Sequence, residues 1–472
     1  MAAEFLHGIE TIEVNDGSRP IRRARMSVIG LIGTAPNADS AAWPYNTPIP
    51  VYGSRRAITG LGTAGTLPMA LNGIFSQIGA LVVVIRVPEG QTQAETISAI
   101  IGSPSTKTGV YAFLAAQSVA KLTPRILIAP SFSAVRPTDG ISAIAVGDAG
   151  AGYTSAPTVT INGNGSGAQA EAVVLNGQLQ AINVIHPGQG YTEATVAIAG
   201  VGTGATATAT RGTVRNPIVS HLQGIAKRLR AVVIPDLPNT TTGAAISYRG
   251  DWGSARIFGA DPWLRVWNTA TSSLISLPPS PYIAGAIAAS DNERGVHWSP
   301  SSFEINGVEG LARPIDHSLF DPEAESQILN SNEVATFAQE NGFRLFGNRT
   351  FSTDPLWAFL SVRRTADLVH ESVEKGMAWA LDRPFSRRNL VEVAESATDF
   401  LRGLKRDGGT LGGKVWFDPA ANPADEIRAG HWTYDFDMEP PPPAERITFN
   451  VHRNGEYINE IVDQASRQIA SL

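Results

Sequence analysis

The six residues Gly60-Leu-Gly-Thr-Ala-Gly65 have the glycine spacing with which a dinucleotide-binding loop lets its backbone approach a pyrophosphate. Glu89 follows 24 residues after Gly65, beyond the apolar run Leu81 to Val87, where such a fold places the carboxylate that holds a ribose hydroxyl. That chemistry also needs an apolar strand ending at the first glycine, so that the next helix aims its amino terminus at the phosphates. Ser54-Arg-Arg-Ala-Ile-Thr59 is no such strand, and the loop is expected to lead into the following helix.

Asp435 and Asp437 alternate along one strand face. That spacing could pair carboxylates for glycoside chemistry or simply solvate an exposed strand. The eight histidines contain no His-Glu-x-x-His, and Asp316-His317 cannot easily chelate one ion through both side chains. No Gly-x-Ser-x-Gly elbow supplies a hydrolase nucleophile, and a chain without Cys has no disulfides, thiolate metal sites or thiol nucleophiles. The expectation is therefore no catalytic, cofactor-binding or metal-ligating residues. Tyr153 and Tyr191, each in a Gly-Tyr-Thr motif, could stack on sugars or pack their rings into turns. Arg19, Arg22, Arg23 and Arg25 could bind phosphate or the carboxylates of a neighbouring subunit.

These residues must be positioned by a chain of 472 residues, long enough for two to three domains. A net charge of −6 argues against nucleic acid as a partner, because phosphate binding requires clustered cations. With 17% charged residues, much of the surface is neutral or covered by partners, which favours self-association. The amino terminus has no basic region followed by an apolar stretch, so a cytosolic chain is expected. Leu81 to Ile85 and Tyr282 to Ala289 are far shorter than the roughly 20 residues of a membrane helix, and no membrane insertion is expected.

Residues 1 to 25 read as an amino-terminal arm, with β-compatible residues in Gly8 to Val14 before the turn Asn15-Asp-Gly17. An α/β pattern follows: strands at Ser27 to Ile32, Leu81 to Val87 and Arg125 to Ile128 alternate with helices near Leu67 to Ile78 and Tyr111 to Leu122. It is interrupted at 141–213 by a nearly uncharged segment with an internal repeat. Gly150-Ala-Gly-Tyr-Thr154 recurs as Gly188-Gln-Gly-Tyr-Thr192, and Asn176-Gly177 predicts a tight hairpin between the two copies. The host pattern resumes with a helix at Ile218 to Leu229 and a strand at Ala231 to Ile234. The outer α/β domain is thus discontinuous, 26–140 and 214–350, with a small all-β domain inserted.

Residues 351–444 form a further domain with two amphipathic helices. One has the stripe Ala366, Val369, Val373, Met377; the other runs from Leu390 to Leu404 and stops at Gly408-Gly409. Strands are predicted at Lys414 to Phe417, His431 to Phe436 and Ile447 to Val451, the last after the stiff spacer Pro440 to Pro443. Residues 445–472 read as a second arm.

Several segments resemble the tail sheath proteins of contractile-tailed phages and R-type pyocins. They are Pro278-Pro-Ser-Pro-Tyr-Ile-Ala-Gly285 running to Ser290-Asp-Asn-Glu-Arg-Gly295, then Asn330-Ser-Asn332, then Gly342-Phe-Arg-Leu-Phe-Gly-Asn-Arg-Thr350 with Asp354-Pro355 and Val362-Arg-Arg364. His7 to Gly17, Gly403 to Leu411 and Gly413 to Phe417 also match, and the order of the segments makes the resemblance specific. The departures are the inserted domain and Val296-His-Trp-Ser-Pro-Ser-Ser302. The resemblance implies an α/β (α+β) multidomain sheath-type core with extended terminal arms. It implies a helical homopolymer around an inner tail tube protein, bounded by baseplate and tail terminator proteins, in a virion tail assembled in the host cytoplasm. Contraction would use no cofactor. Ile9, Ile12 and Val14 at one end, and Ile447, Phe449 and Val451 at the other, would be strand positions donated to neighbours. The 351–444 domain would face the tube, with Arg402, Lys405 and Arg406 as releasable contacts, and 141–213 would lie outermost. Two rival classes are an α/β nucleotide-binding enzyme using the Gly60 loop and a carbohydrate-binding surface protein using 141–213.

Overall fold

The computed structural model describes residues 19–472. It divides into two units, Met1–Pro441 and Pro442–Leu472.

The first unit opens with β1 (Ile29–Thr34), β2 (Ile49–Tyr52), α1 (Thr66–Gln77), β3 (Leu81–Val87), α2 (Gln93–Ile101), α3 (Ala116–Val119) and β4 (Ile126–Ile128). In α1, Leu67, Ala70, Leu71 and Ile74 are buried, the spacing of one helix face. A capping box between Thr92 and Glu95 starts α2. Tyr111 to Leu122, predicted as one helix, is instead a 3₁₀ segment Gly109–Ala115 followed by the single turn of α3. There Val110 and Phe113 are held in the core, and tertiary packing overrides helical propensity.

Six strands follow: β5 (Gly140–Ala151), β6 (Thr158–Gly163), β7 (Ser166–Leu175), β8 (Gln178–Gln189), β9 (Ala194–Ala199) and β10 (Thr203–Gly212). They form an all-β insertion with one sheet ordered β10-β5-β8-β7 and a second pairing β6 with β9. Asn176 and Gly177, both at positive φ, turn the β7–β8 hairpin. The sequence repeat is also a structural one, because β5, β6 and β10 correspond to β8, β9 and β7 about the β5–β8 pairing of Ile144 with Ile182. Ile141, Leu179, Ile182 and Tyr191 form its core.

The host fold resumes with α4 (Pro217–Leu229), β11 (Val232–Val233), α5 (Thr242–Gly250), β12 (Leu264–Asn268), β13 (Ser273–Leu277), α6 (Ser280–Arg294), β14 (Gly310–Leu311), α7 (Glu325–Ser331), β15 (Thr336–Gln339) and β16 (Phe343–Phe346). The central sheet is ordered β11-β4-β1-β3-β2, parallel except for edge strand β2. Both of its faces are covered, so its strands are largely apolar, and the buried Arg86 of β3 is held by Ala35 O and Trp43 O, each at 2.9 Å. Ile29 and Leu31 join a core with α1 and α6, while Ile32 joins the opposite core with α2 and α4.

The unit closes with α8 (Leu360–Gly376), α9 (Arg387–Arg406), β17 (Gly412–Trp416), α10 (Ala424–Arg428) and β18 (Asp435–Glu439). Leu368 and Val369 of α8 meet Phe400, Leu401 and Leu404 of α9, with Val415 and Phe436 of the β17–β18 pair against them. Ile21 and Met26 join this core. The strand read at His431 to Phe436 lies a few residues later, as β18. The second unit has no regular structure over 442–454, including Ile447 to Val451, and then α11 (Glu456–Ala470), a helix not foreseen from the sequence.

Candidate functional site

The Gly60 loop follows a 3₁₀ turn, Arg55–Ile58, and no strand. The strand that ends at the amino terminus of α1 is β1, whose last residue occupies the place a phosphate would need. Thr34 N donates to Thr66 Oγ1 at 3.1 Å, and Thr66 N donates to Thr34 Oγ1 at 3.4 Å. Gly65 has φ 88°, and a Cβ there would lie 2.4 Å from Thr34 O, so this glycine serves a close strand–helix approach. The geometry gives the nucleotide reading no support.

Tyr153 and Tyr191 are buried, each lying over a glycine of the other repeat: a Cβ at Gly202 or Gly165 would come within 2.5 or 2.4 Å of the respective ring. The rings are packed structure, unavailable for sugar stacking. Asp437 Oδ1 accepts from Lys414 N at 2.6 Å, within the β17–β18 pair. His317 is used locally, Nδ1 with Ser326 Oγ at 3.1 Å and Nε2 with Glu340 at 3.3 Å. No metal-binding cluster occurs among the described residues.

The densest polar chemistry lies where α8 meets the α/β core. Arg364 donates to both oxygens of Asp291 on α6, at 2.7 and 2.6 Å, and to Met26 O at 2.9 Å. Ser27 Oγ donates to the same carboxylate at 2.6 Å. Both members of the ion pair are buried, at 3% and 4% side-chain exposure, so each depends on the other for solvation. One turn along α8, Asp367 takes Arg256 in a bidentate pair at 2.7 and 2.9 Å and Arg363 at 2.8 Å. A turn further, Glu371 meets Arg125 at 2.5 Å, Lys375 at 2.7 Å and Arg230 at 3.5 Å. Burial alone would raise the Glu371 carboxyl, but the Lys375 and Arg125 cations outweigh it and hold it below its usual range. Spacing at i, i+3 and i+7 on one helix thus presents three carboxylate-linked contacts to one surface. The sequence marked Ser290-Asp-Asn and Val362-Arg-Arg364 separately, and the fold joins them.

The insertion is fastened to the host by a second polar set. The rings of His186 on β8 and His221 on α4 stack with centroids 3.6 Å apart. His186 Nδ1 bonds Ser220 Oγ at 2.8 Å, and His221 Nδ1 bonds the Tyr111 hydroxyl at 2.8 Å. Burial, then Arg215, lowers His186 to about 4. Burial, then His186, lowers His221 to about 3. Neither histidine was singled out from sequence, and no spacing signal marks the pair.

Arg402, Lys405 and Arg406 are exposed at the end of α9, where Arg402 pairs with Asp399 and Arg406 with Asp407, each at 3.3 Å. Ile9, Ile12 and Val14 lie outside the described residues. Ile447, Phe449 and Val451 are 71%, 85% and 87% exposed.

The phage tail sheath protein central domain matches residues 181–351, and the phage tail sheath C-terminal domain matches 352–454. The tail sheath protein Gp18 domain III N-terminal region matches 27–87. A prophage major tail sheath protein of Pseudomonas aeruginosa is 30% identical over 465 residues, 98% of this chain and 100% of the relative. The chain belongs to the phage tail sheath protein family. The tail sheath protein of Burkholderia phage BcepMu is 31% identical over 97% of this chain and 98% of its own length. Among solved structures, the helical sheath of the anti-feeding prophage in its contracted state superposes with a TM-score of 0.60 at 16% identity, covering 96% of this chain and 100% of that one. That likeness is one of fold. As a tail sheath protein the chain is structural, and the ion pairs along α8 tie together segments matched by different sheath domains.

Proposed function

We propose that this chain polymerises helically around an inner tail tube and contracts by rearrangement of its subunits, driving the tube through the bacterial envelope. The observation that carries this reading is the unit 442–472, where Ile447, Phe449 and Val451 recur at every second residue, the spacing of one strand face, in a stretch with no regular structure that leaves all three side chains exposed. Among the described residues the β17–β18 pair has two unpaired outer edges, and it offers a sheet to which such a segment can add. Donor and acceptor are different surfaces, so the contact is heterologous and propagates as a filament. Ile9, Ile12 and Val14 would donate in the same way from the other end. Residues 351–444 would face the tube through Arg402, Lys405 and Arg406, and the insertion 141–213 would lie outermost. Baseplate and tail terminator proteins would bound the polymer, which would assemble in the host cytoplasm. No catalysis is invoked, because the energy of contraction would be stored at assembly as a difference between two packings.

Electron microscopy of the full chain beside a deletion of residues 1 to 20 tests this. Ribbed tubes or rings are expected from the full chain and not from the deletion. Uniform small particles from the full chain at high concentration would overturn the reading.

A further inference from the structure

A cleft of ≈ 510 Å³ opens at the root of the amino-terminal segment and is lined by six cations, Arg22, Arg23, Arg25, Lys121, Arg125 and Lys375, with no carboxylate in its wall among the described residues. Three of the six are answered: Arg23 by Asp407, and Arg125 and Lys375 by Glu371. Arg22, Arg25 and Lys121 are exposed and have no carboxylate partner among the described residues, Lys121 donating only to Ser118 O at 2.9 Å. Three like charges converging on one concavity repel one another until an anion enters.

The carboxy-terminal helix α11 has the complementary pattern. Glu456, Glu460 and Asp463 recur at i, i+4 and i+7 on one side over the first two turns, with Arg467 following at i+11 in the last turn, and Ile458, Ile461, Val462 and Ile469 lie on the opposite side. None of its residues is buried. The 13 residues of 442–454 that precede it have no regular structure and can span about 40 Å when extended, enough to reach a neighbouring molecule.

We propose that the cleft receives the acidic face of α11 from a second copy of this chain. The three carboxylates match the three unanswered cations in number. One wall of the cleft is Pro20, Arg22 to Arg25 and Val28, in the segment that continues into the proposed amino-terminal arm, so the contact is continuous with the arm exchange and rests on that reading. The apolar face of α11 then points away from the cleft and is free to pack on a further copy.

The absence of Cys from the chain makes a direct test possible. Full-length Arg25→Cys and Glu460→Cys chains are mixed and treated with a short bismaleimide, beside a control mixture of Arg25→Cys with Asp148→Cys. Covalent heterodimers are expected from the first mixture and not from the control, whether or not tubes form. Their absence, or equal yield in both mixtures, overturns the proposal. In parallel, the triple reversals Arg22→Glu/Arg25→Glu/Lys121→Glu and Glu456→Lys/Glu460→Lys/Asp463→Lys should each raise the concentration at which tubes appear by about tenfold, and an equimolar mixture of the two variants should recover part of that loss. If only the cleft reversal acts, another anion fills the cleft and α11 is refuted as its occupant. Wild-type chain that forms no tubes, with the specific heterodimer still obtained from the Cys variants, would sink the helical-polymer reading and leave this contact standing.

Discussion

Lowering the pH from 7.5 to 5 should loosen the inserted β-domain from its host. His221 is 2% exposed, its Nε2 is buried without a hydrogen-bond partner, and its ring lies on that of His186. A proton on Nε2 would meet no acceptor, and two stacked imidazoliums would repel. The groups facing the pair make this worse or stay neutral: Arg215 lies on the His186 side, Arg228 lies near Tyr111, and the Tyr111 hydroxyl is pushed up by burial. The native values of about 3 and about 4 lie below the unfolded value near 6.5. Between those limits the detached state binds more protons, so the contact is at full strength above pH 6.5 and weakens as pH falls toward 4. At pH 5 the integrated linkage for His221 is about 2 kcal/mol. Half-buried His186 contributes less because solvent screens it, for a total of about 2–4 kcal/mol. Hydrogen exchange of β8 and α4 amides at pH 7.5, 6 and 5, corrected for intrinsic rates, should show protection lost with that slope. His186→Gln/His221→Gln should flatten the dependence. A double variant that keeps the wild-type slope would refute the reasoning.

Asp236 is fully buried and accepts from Ser131 N, Ser133 Oγ and Ser280 N at 3.0, 3.1 and 2.9 Å, joining β4, β11 and the start of α6. Asp236→Ala strands three donors and should cost about 3 kcal/mol or more, read as a lower melting midpoint. Arg364→Met leaves the Asp291 carboxylate buried and unpaired and should cost about 3–5 kcal/mol, with Asp291→Asn/Arg364→Met recovering part of it in denaturant unfolding. Charge reversal of Arg402, Lys405 and Arg406 together should weaken co-assembly with the tube in a salt-dependent way, measured by co-sedimentation; unchanged co-assembly would rule out these contacts.

Elements held by local pattern were legible in the sequence. The helix near Leu67 to Ile78, the stripes of α8 and α9, the apolar runs of β1 and β3, and the Asn176-Gly177 turn each rest on interactions within a few residues. The Gly-Tyr-Thr repeat and the insertion it defines were legible for the same reason, as were the ordered motifs that resemble sheath proteins. Where distant packing competes with local preference, the reading slipped. The 3₁₀ segment Gly109–Ala115 is held by the core contacts of Val110 and Phe113, and β18 pairs later than its apolar pattern suggested because its register is set by β17. The helix α11 has a clear apolar stripe that the strand reading of the terminal arm passed over.

Family membership and the run of short strands between Gly140 and Gly212 were therefore legible in residue order alone. Only the tertiary structure decided that Asp291 belongs to Arg364, that His186 stacks on His221, and that Arg22, Arg25 and Lys121 share one cleft. Each of these joins residues far apart in the chain whose side chains have no local partner. Charge and burial state what such a group needs, and the fold selects which of many eligible residues supplies it.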